Sequence, residues 1–238
     1  MKPRQLPSLA IATIVLAGVC LAHYAMAEAL STSSGAGGND CVNIGQTMQK
    51  VLRCVPGVNP AKIDPTVQAF TKAYEHLTSS GKVKPPSTNE LHHMLAQILE
   101  ETGHLGHLTE LHPTSAPYQG RGFIQLTGKV NYNNCVQFVQ DSGDTTSNIS
   151  QIARGGAAAD KIIGKGATDL YLSAMCTIGW WEDSKTKSPA FQAAVDQGKE
   201  GVNVVSTTVN AGPEAKPGTK INGLTERQTA YDEVSKCM

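Results

Sequence analysis

The chain has 238 residues, and its 20 Lys and Arg are balanced by 20 Asp and Glu, for a formal net charge of zero. Such a balance excludes the broad basic face that holds nucleic acid or an anionic membrane. With aromatic residues at only 5% and few period-two runs of β-branched side chains, a sheet-based architecture is not expected either.

Lys2 and Arg4 stand ahead of the apolar run from Leu9 to Ala22, and Ala25-Met26-Ala27 has the small-x-small form of a signal-peptidase site. The run is shorter than the roughly 20 residues a bilayer span requires. Residues 1–27 therefore read as a cleaved secretory signal, leaving no stable membrane association. Residues 28–40 include Ser-Thr-Ser-Ser-Gly-Ala-Gly-Gly-Asn and offer almost nothing to bury, so they read as a flexible leader. Residues 41–238 are then one folded domain, taken as a monomer, with a slight acidic excess once the basic signal is gone.

Beyond the signal lie Cys41, Cys54, Cys135, Cys176 and Cys237. In an oxidising compartment, two disulfides and one odd thiol are expected. A Cys41–Cys54 bridge would close a short loop; the other pairings are not legible. Secretion, or a periplasmic location if the source is bacterial, is the expected destination.

Apolar residues recur at helical spacing in Met48 to Leu52, Val67 to Leu77 and Leu91 to Leu99. Val130 to Val139, Asp169 to Trp181 and Thr225 to Lys236 follow, separated by Gly- and Pro-bearing stretches at 142–166 and 211–223. Ser87-Thr88-Asn89-Glu90 has the form of a capping box and predicts a helix start. Leu91, Met94, Leu95, Ile98 and Leu99 then mark one buried stripe. At about 100° per residue, Glu101 lies roughly 90° from the centre of that stripe, whereas Glu100 points nearly away from it. Glu101 thus borders the interior, where burial raises a carboxyl pKa toward the range of a general acid.

Gly103 and Gly106 break the helix, and Glu110 follows nine residues after Glu101. A continued helix would separate the two by about 13 Å; a turn brings them closer. An inverting glycosidase needs two carboxyls roughly 6.5–9.5 Å apart, one to protonate the leaving oxygen and one to activate water.

The stretch Tyr118-Gln119-Gly120-Arg121-Gly122-Phe123-Ile124-Gln125-Leu126-Thr127-Gly128, closed by Asn131-Tyr132, resembles the signature of family 19 glycoside hydrolases, the chitinases and related endolysins. Ala96-Gln97-Ile98-Leu99-Glu100-Glu101-Thr102-Gly103 is similar to the motif around that family's catalytic acid, and residues Val204 to Arg227 are similar to its Asn-Gly-Gly and Asn-Gly-Leu-x-x-Arg segment. The likeness extends over roughly residues 46–236. It implies a mainly α, lysozyme-like, two-lobed helical domain with an active-site cleft, and a polysaccharide partner. No cofactor and no metal are implied.

Carried over residue by residue, the resemblance implies Glu101 as acid, Glu110 as base and Thr127 as a holder of the attacking water. Gln125, Asn131 and Asn210 match positions that bind sugar hydroxyl and acetamido groups, and Tyr118 and Trp181 are expected to offer aromatic faces. Arg227 shares a helical face with Ala230, Tyr231 and Val234, so it points inward and needs an anion. In the family it joins the acid and a further glutamate, which Glu214 matches. Glu100 stands where the family has histidine, His104 where it has a second glycine, and Asn210-Ala211-Gly212 replaces Asn-Gly-Gly.

His104, His107 and His112 cluster with both glutamates in sequence, but no His-Glu-x-x-His is present, and surface or supporting roles are preferred to zinc. Asn148-Ile149-Ser150 is a glycosylation sequon, relevant in a eukaryotic source. The resemblance thus implies hydrolysis of β-1,4-linked N-acetylglucosamine polymers, chitin ahead of peptidoglycan. A non-catalytic sugar-binding protein on the same fold is the competing class.

Overall fold

The capping box at Ser87 opens helix α3 (Thr88–Glu101), around which the site is built; in this computed structural model the Ser87 side chain accepts from the Glu90 amide at 3.2 Å. The Glu90 carboxylate does not return to the cap. It is 7% exposed and pairs at 2.8 Å with Lys185, which also holds Glu182 at 2.7 Å. The expected stripe is buried, and so are His93, Ala96 and Gln97, making α3 a helix buried on most of its circumference.

The structure describes residues 44–111, 116–146, 148–216 and 218–238. The expected signal and leader, Cys41 and His112 lie outside them. The remaining α-helices are α1 (Ile44–Cys54), α2 (Pro60–Ser79), α4 (Lys129–Asp141), α5 (Gly156–Ile163), α6 (Tyr171–Lys187), α7 (Pro189–Asp196), α8 (Val202–Ala211) and α9 (Leu224–Cys237). Among the described residues there is no strand, only isolated bridges from Arg121 to Thr109 and to Leu126. The mainly α expectation therefore holds.

Helix α3 packs on α7, α8 and α9, while α6 packs on α2, α4 and α5. The two groups share one continuous cluster of buried apolar side chains, from Met48 in α1 to Val234 in α9. Lys185 of α6, bound to Glu90 of α3, ties them electrostatically. No described helix is long and apolar enough to cross a membrane.

Two corrections to the sequence reading concern covalent and helical order. Cys54 bonds Cys237, not Cys41, because the last turn of α1 lies against the last turn of α9; Cys135 of α4 bonds Cys176 of α6. Residues 142–166 are not a plain connection but contain a 3-10 helix (Ile149–Arg154) and α5. The 3-10 helix is only six residues long, and α5 opens on Gly156 and three alanines that mark no apolar stripe, so neither element shows in the pattern.

His93 of α3 is fully buried against the Tyr231 ring, 4.7 Å away between centroids. Neither ring nitrogen completes a well-aligned hydrogen bond, although the carbonyls of Gly198 and Ala194 lie close enough to oppose the shift. Burial lowers its pKa from 6.5 to about 4. Between those values the unfolded chain binds more protons than the folded one, so stability falls as pH drops through that window. The expected loss is at most about 3 kcal/mol. Urea unfolding of the native protein and of His93→Leu at pH 7 and pH 4 measures it: the native protein loses more stability between the two pH values. Equal losses would refute a neutral buried histidine.

Candidate active site

The end of α3 is shaped by Thr102, fully buried, whose hydroxyl donates to the Ile98 carbonyl at 2.6 Å and accepts from the Leu105 amide at 2.9 Å. The chain then runs through three consecutive left-handed residues, Gly103, His104 and Leu105, with φ of 54°, 57° and 65°. Each residue bearing a Cβ costs about 1–2 kcal/mol in that conformation. The cost is met by burying Leu105 and by the Asn59 amide, which donates to the His104 carbonyl at 2.9 Å. At Gly103 a Cβ would also stand 2.7 Å from the His107 ring. This turn separates Glu101 from Glu110.

Glu101 retains 14% of its side-chain exposure, and its Oε1 accepts from Arg227 at 2.7 Å. Burial raises its pKa. The Arg227 guanidinium opposes that rise without cancelling it, and Glu100 adds slightly to it. Arg227 is itself 3% exposed, on the inward face of α9 with Ala230, Tyr231 and Val234. Its other donors reach the Gln97 side-chain oxygen at 2.6 Å and the Asn222 carbonyl at 3.4 Å. Asn210 enters the same network, since its side chain accepts from the Asn222 amide at 3.4 Å.

Glu110 belongs to a second group of side chains. Its backbone amide donates to the Gly120 carbonyl at 2.9 Å, and the Gly120 amide donates to the Glu110 carboxylate at 3.1 Å. A Cβ on Gly120 would lie 2.8 Å from the Gln125 side-chain oxygen and 3.3 Å from the Thr127 hydroxyl, so Glu110, Gln125 and Thr127 converge on a backbone left bare. The Thr127 hydroxyl donates to the Gln125 carbonyl at 2.8 Å and remains exposed; Asn131 donates to the Thr127 carbonyl at 2.9 Å. Among the described residues, the buried Gln125 Oε1 has no hydrogen-bond partner.

This second group rests on Arg121, 3% exposed, which donates to Asp160 of α5, to the Pro117 and Gln119 carbonyls and to the Tyr132 hydroxyl. Asp160 also accepts from Thr109, the residue before Glu110, at 2.8 Å. The Gly-Arg-Gly motif thus works as a clamp beneath the candidate base. Tyr118, half-buried, lays its ring edge-on to Tyr132 and donates its hydroxyl to Ala153.

Two expected site residues stand elsewhere. Trp181 is fully buried against Phe191 and offers no face to a ligand. Its neighbour Trp180, half-exposed and about 100° away on the helix, is the indole that lines a groove of about 410 Å³ between α4 and α6. Asn131 and Phe138 share that groove. Glu214 is exposed, and no hydrogen bond or ion pair joins it to Arg227 among the described residues. Gln97 takes the place expected for it. Gln97, Asp160 and Trp180 were not singled out as site residues from the sequence; Gln97, one turn before Glu101, was the one with a visible signal.

His104 and His107 diverge, the first toward Gly57 and the second over Gly103. Among the described residues no group of His, Cys, Asp and Glu has the geometry to hold a metal ion.

Solved chitinase structures share this fold. Chitinase C from Streptomyces griseus aligns with a TM-score of 0.52 and 18% identity, over 87% of this chain and 79% of its own. A chitinase C mutant with glutamate replaced by glutamine aligns with a TM-score of 0.52 and 16% identity, over 84% of this chain and 95% of its own. No protein-family model and no curated protein matches the sequence.

Proposed function

We propose that the chain is a secreted, endo-acting glycoside hydrolase that cleaves β-1,4 linkages in N-acetylglucosamine polymers with inversion. The observation that carries this reading is the unlike pair of glutamates. Glu101 is buried, raised in pKa and held by Arg227, while Glu110 sits in a separate half-exposed group with Thr127. Two carboxyls in environments of different polarity are the requirement for one to give a proton and the other to take one.

In the reaction, protonated Glu101 delivers its proton to the glycosidic oxygen as the bond to the anomeric carbon breaks. Glu110 accepts a proton from water, which attacks the opposite face of the sugar, with Thr127 holding that water. Gln125, Asn131 and Asn210 bind the sugar hydroxyl and acetamido groups, and the groove with Trp180 continues the path of the polymer. The two disulfides support an oxidising destination, and the likeness to chitinase C favours chitin over peptidoglycan.

The test is proton NMR of the first products from β-linked N-acetylglucosamine oligomers. The α-anomer is expected to appear first and to mutarotate later. Initial β-anomer, or oligomer binding with no product, overturns the proposal. Parallel digestion of chitin and peptidoglycan is expected to release sugars from chitin first.

A further inference from the structure

His93, Gln97 and Glu101 recur every four residues and share one face of α3, the face packed on α9. Gln97 is fully buried and engaged at both ends of its amide: its side-chain nitrogen donates to the Ser206 hydroxyl of α8 at 3.2 Å, and its oxygen accepts from Arg227 at 2.6 Å. An amide can present either end to a neighbour. Arg227 has only donors, so the amide oxygen faces it, and the nitrogen end is held by the Ser206 hydroxyl as acceptor. Arg227 in turn divides its fork among three acceptors, of which two are neutral and only Glu101 is charged.

The consequence is directional. A second carboxylate at Gln97 would draw the cation away from Glu101, and an apolar side chain there would leave a buried donor without an acceptor, a state that buried guanidinium groups escape by moving. The neutral, fixed oxygen does neither. Glu214 is exposed, and among the described residues it shares no hydrogen bond or ion pair with Arg227.

We propose that Gln97, anchored by Ser206, is a positioning residue for Glu101: its amide oxygen seats Arg227 so that one guanidinium donor is presented to the candidate acid. The chain runs from α8 through α3 and α9 and back to α3, and it rests on the reading of Glu101 as the acid. The charged groups acting on Glu101 are Arg227 from α9 and Glu100 from α3 itself. Ser206 brings no charge from α8, and the partners of Gln97 are neutral apart from Arg227.

The test follows the Glu101 carboxyl directly, by carbon NMR of protein labelled at glutamate side-chain carboxyls, with Glu101→Gln assigning the resonance. Gln97→Leu unseats Arg227 and is expected to move the Glu101 titration midpoint upward by about one pH unit, the scale of one lost charge-assisted contact. Ser206→Ala touches neither Arg227 nor Glu101, and is expected to move it in the same direction by a smaller amount. Gln97→Leu also takes a polar amide from beside Glu101, which by itself raises the midpoint, so Ser206→Ala decides: an unmoved midpoint in Ser206→Ala overturns the proposal, whatever happens to thermal stability and whether or not Gln97→Leu folds. The readout needs no turnover. An inactive native protein therefore sinks the hydrolase reading, and an unmoved midpoint in an active one sinks the positioning role.

Discussion

Glu101→Gln is expected to lower kcat on N-acetylglucosamine oligomers by about 10³-fold, within the range for loss of a general acid, with little change in KM. Glutamine keeps the shape and an oxygen for Arg227 at the 2.7 Å contact, but it has no proton to give to the leaving oxygen. Stability tells a separate story. Because burial raises the Glu101 pKa above 4.5 in the fold, its favourable contribution is complete below the unfolded value and is lost as pH rises through the folded value. The stability of Glu101→Gln relative to the native protein is therefore expected to improve from pH 4 to pH 8. Urea unfolding at several pH values, alongside kcat, checks both halves. Full activity in the variant would remove Glu101 from the chemistry.

The second large effect is expected at Arg227. Arg227→Met leaves the Gln97 oxygen and the Glu101 carboxylate without their shared donor in a buried setting. Removing one partner of a buried pair costs about 3–5 kcal/mol, and the figure here should fall near 3 kcal/mol because Glu101 can take up a proton instead. That proton has a kinetic signature: without the cation the Glu101 pKa rises further, and the high-pH limb of the kcat profile moves upward. Arg227→Lys restores charge but not the fork that reaches three acceptors, so it should recover stability better than turnover. Denaturation and pH–rate profiles measure the two. A variant as stable as the native protein, with an unmoved profile, would make the arginine idle.

The helix that carries Glu101 was legible because several local signals agree there. Ser87 caps it, the apolar positions from Leu91 to Leu99 mark its inward side, and Gly103 marks its break. The inward face of α9 was legible for the same reason, with Arg227 on a stripe that also holds Ala230, Tyr231 and Val234. Periodicity failed at α6, where most residues from Tyr171 to Trp181 are buried and no polar face sets the phase. Trp181 and Trp180 cannot then be told apart by pattern, and only the fold shows that Trp181 is buried while Trp180 lines a groove.

Long-range polar pairing was the other illegible layer. That Glu90 reaches Lys185, that Gln97 and not Glu214 meets Arg227, and that Asp160 holds both Arg121 and Thr109 all depend on how α3, α5, α6, α8 and α9 converge. A single sequence names the groups that need partners without naming the partners. The disulfides follow the same logic, since the proximity in sequence of Cys41 and Cys54 weighs less than the packing of α1 on α9.

That Cys54–Cys237 bond joins positions 183 residues apart and encloses α2 through most of α9, with both candidate catalytic glutamates inside. Covalently, this part of the molecule is a ring. A protease that cuts the backbone once within it opens the ring without releasing a fragment, and the two new ends stay tethered through sulfur beside the packed helices. The first nick is then a survivable injury, and only a second cut or a reductant can part the two candidate glutamates.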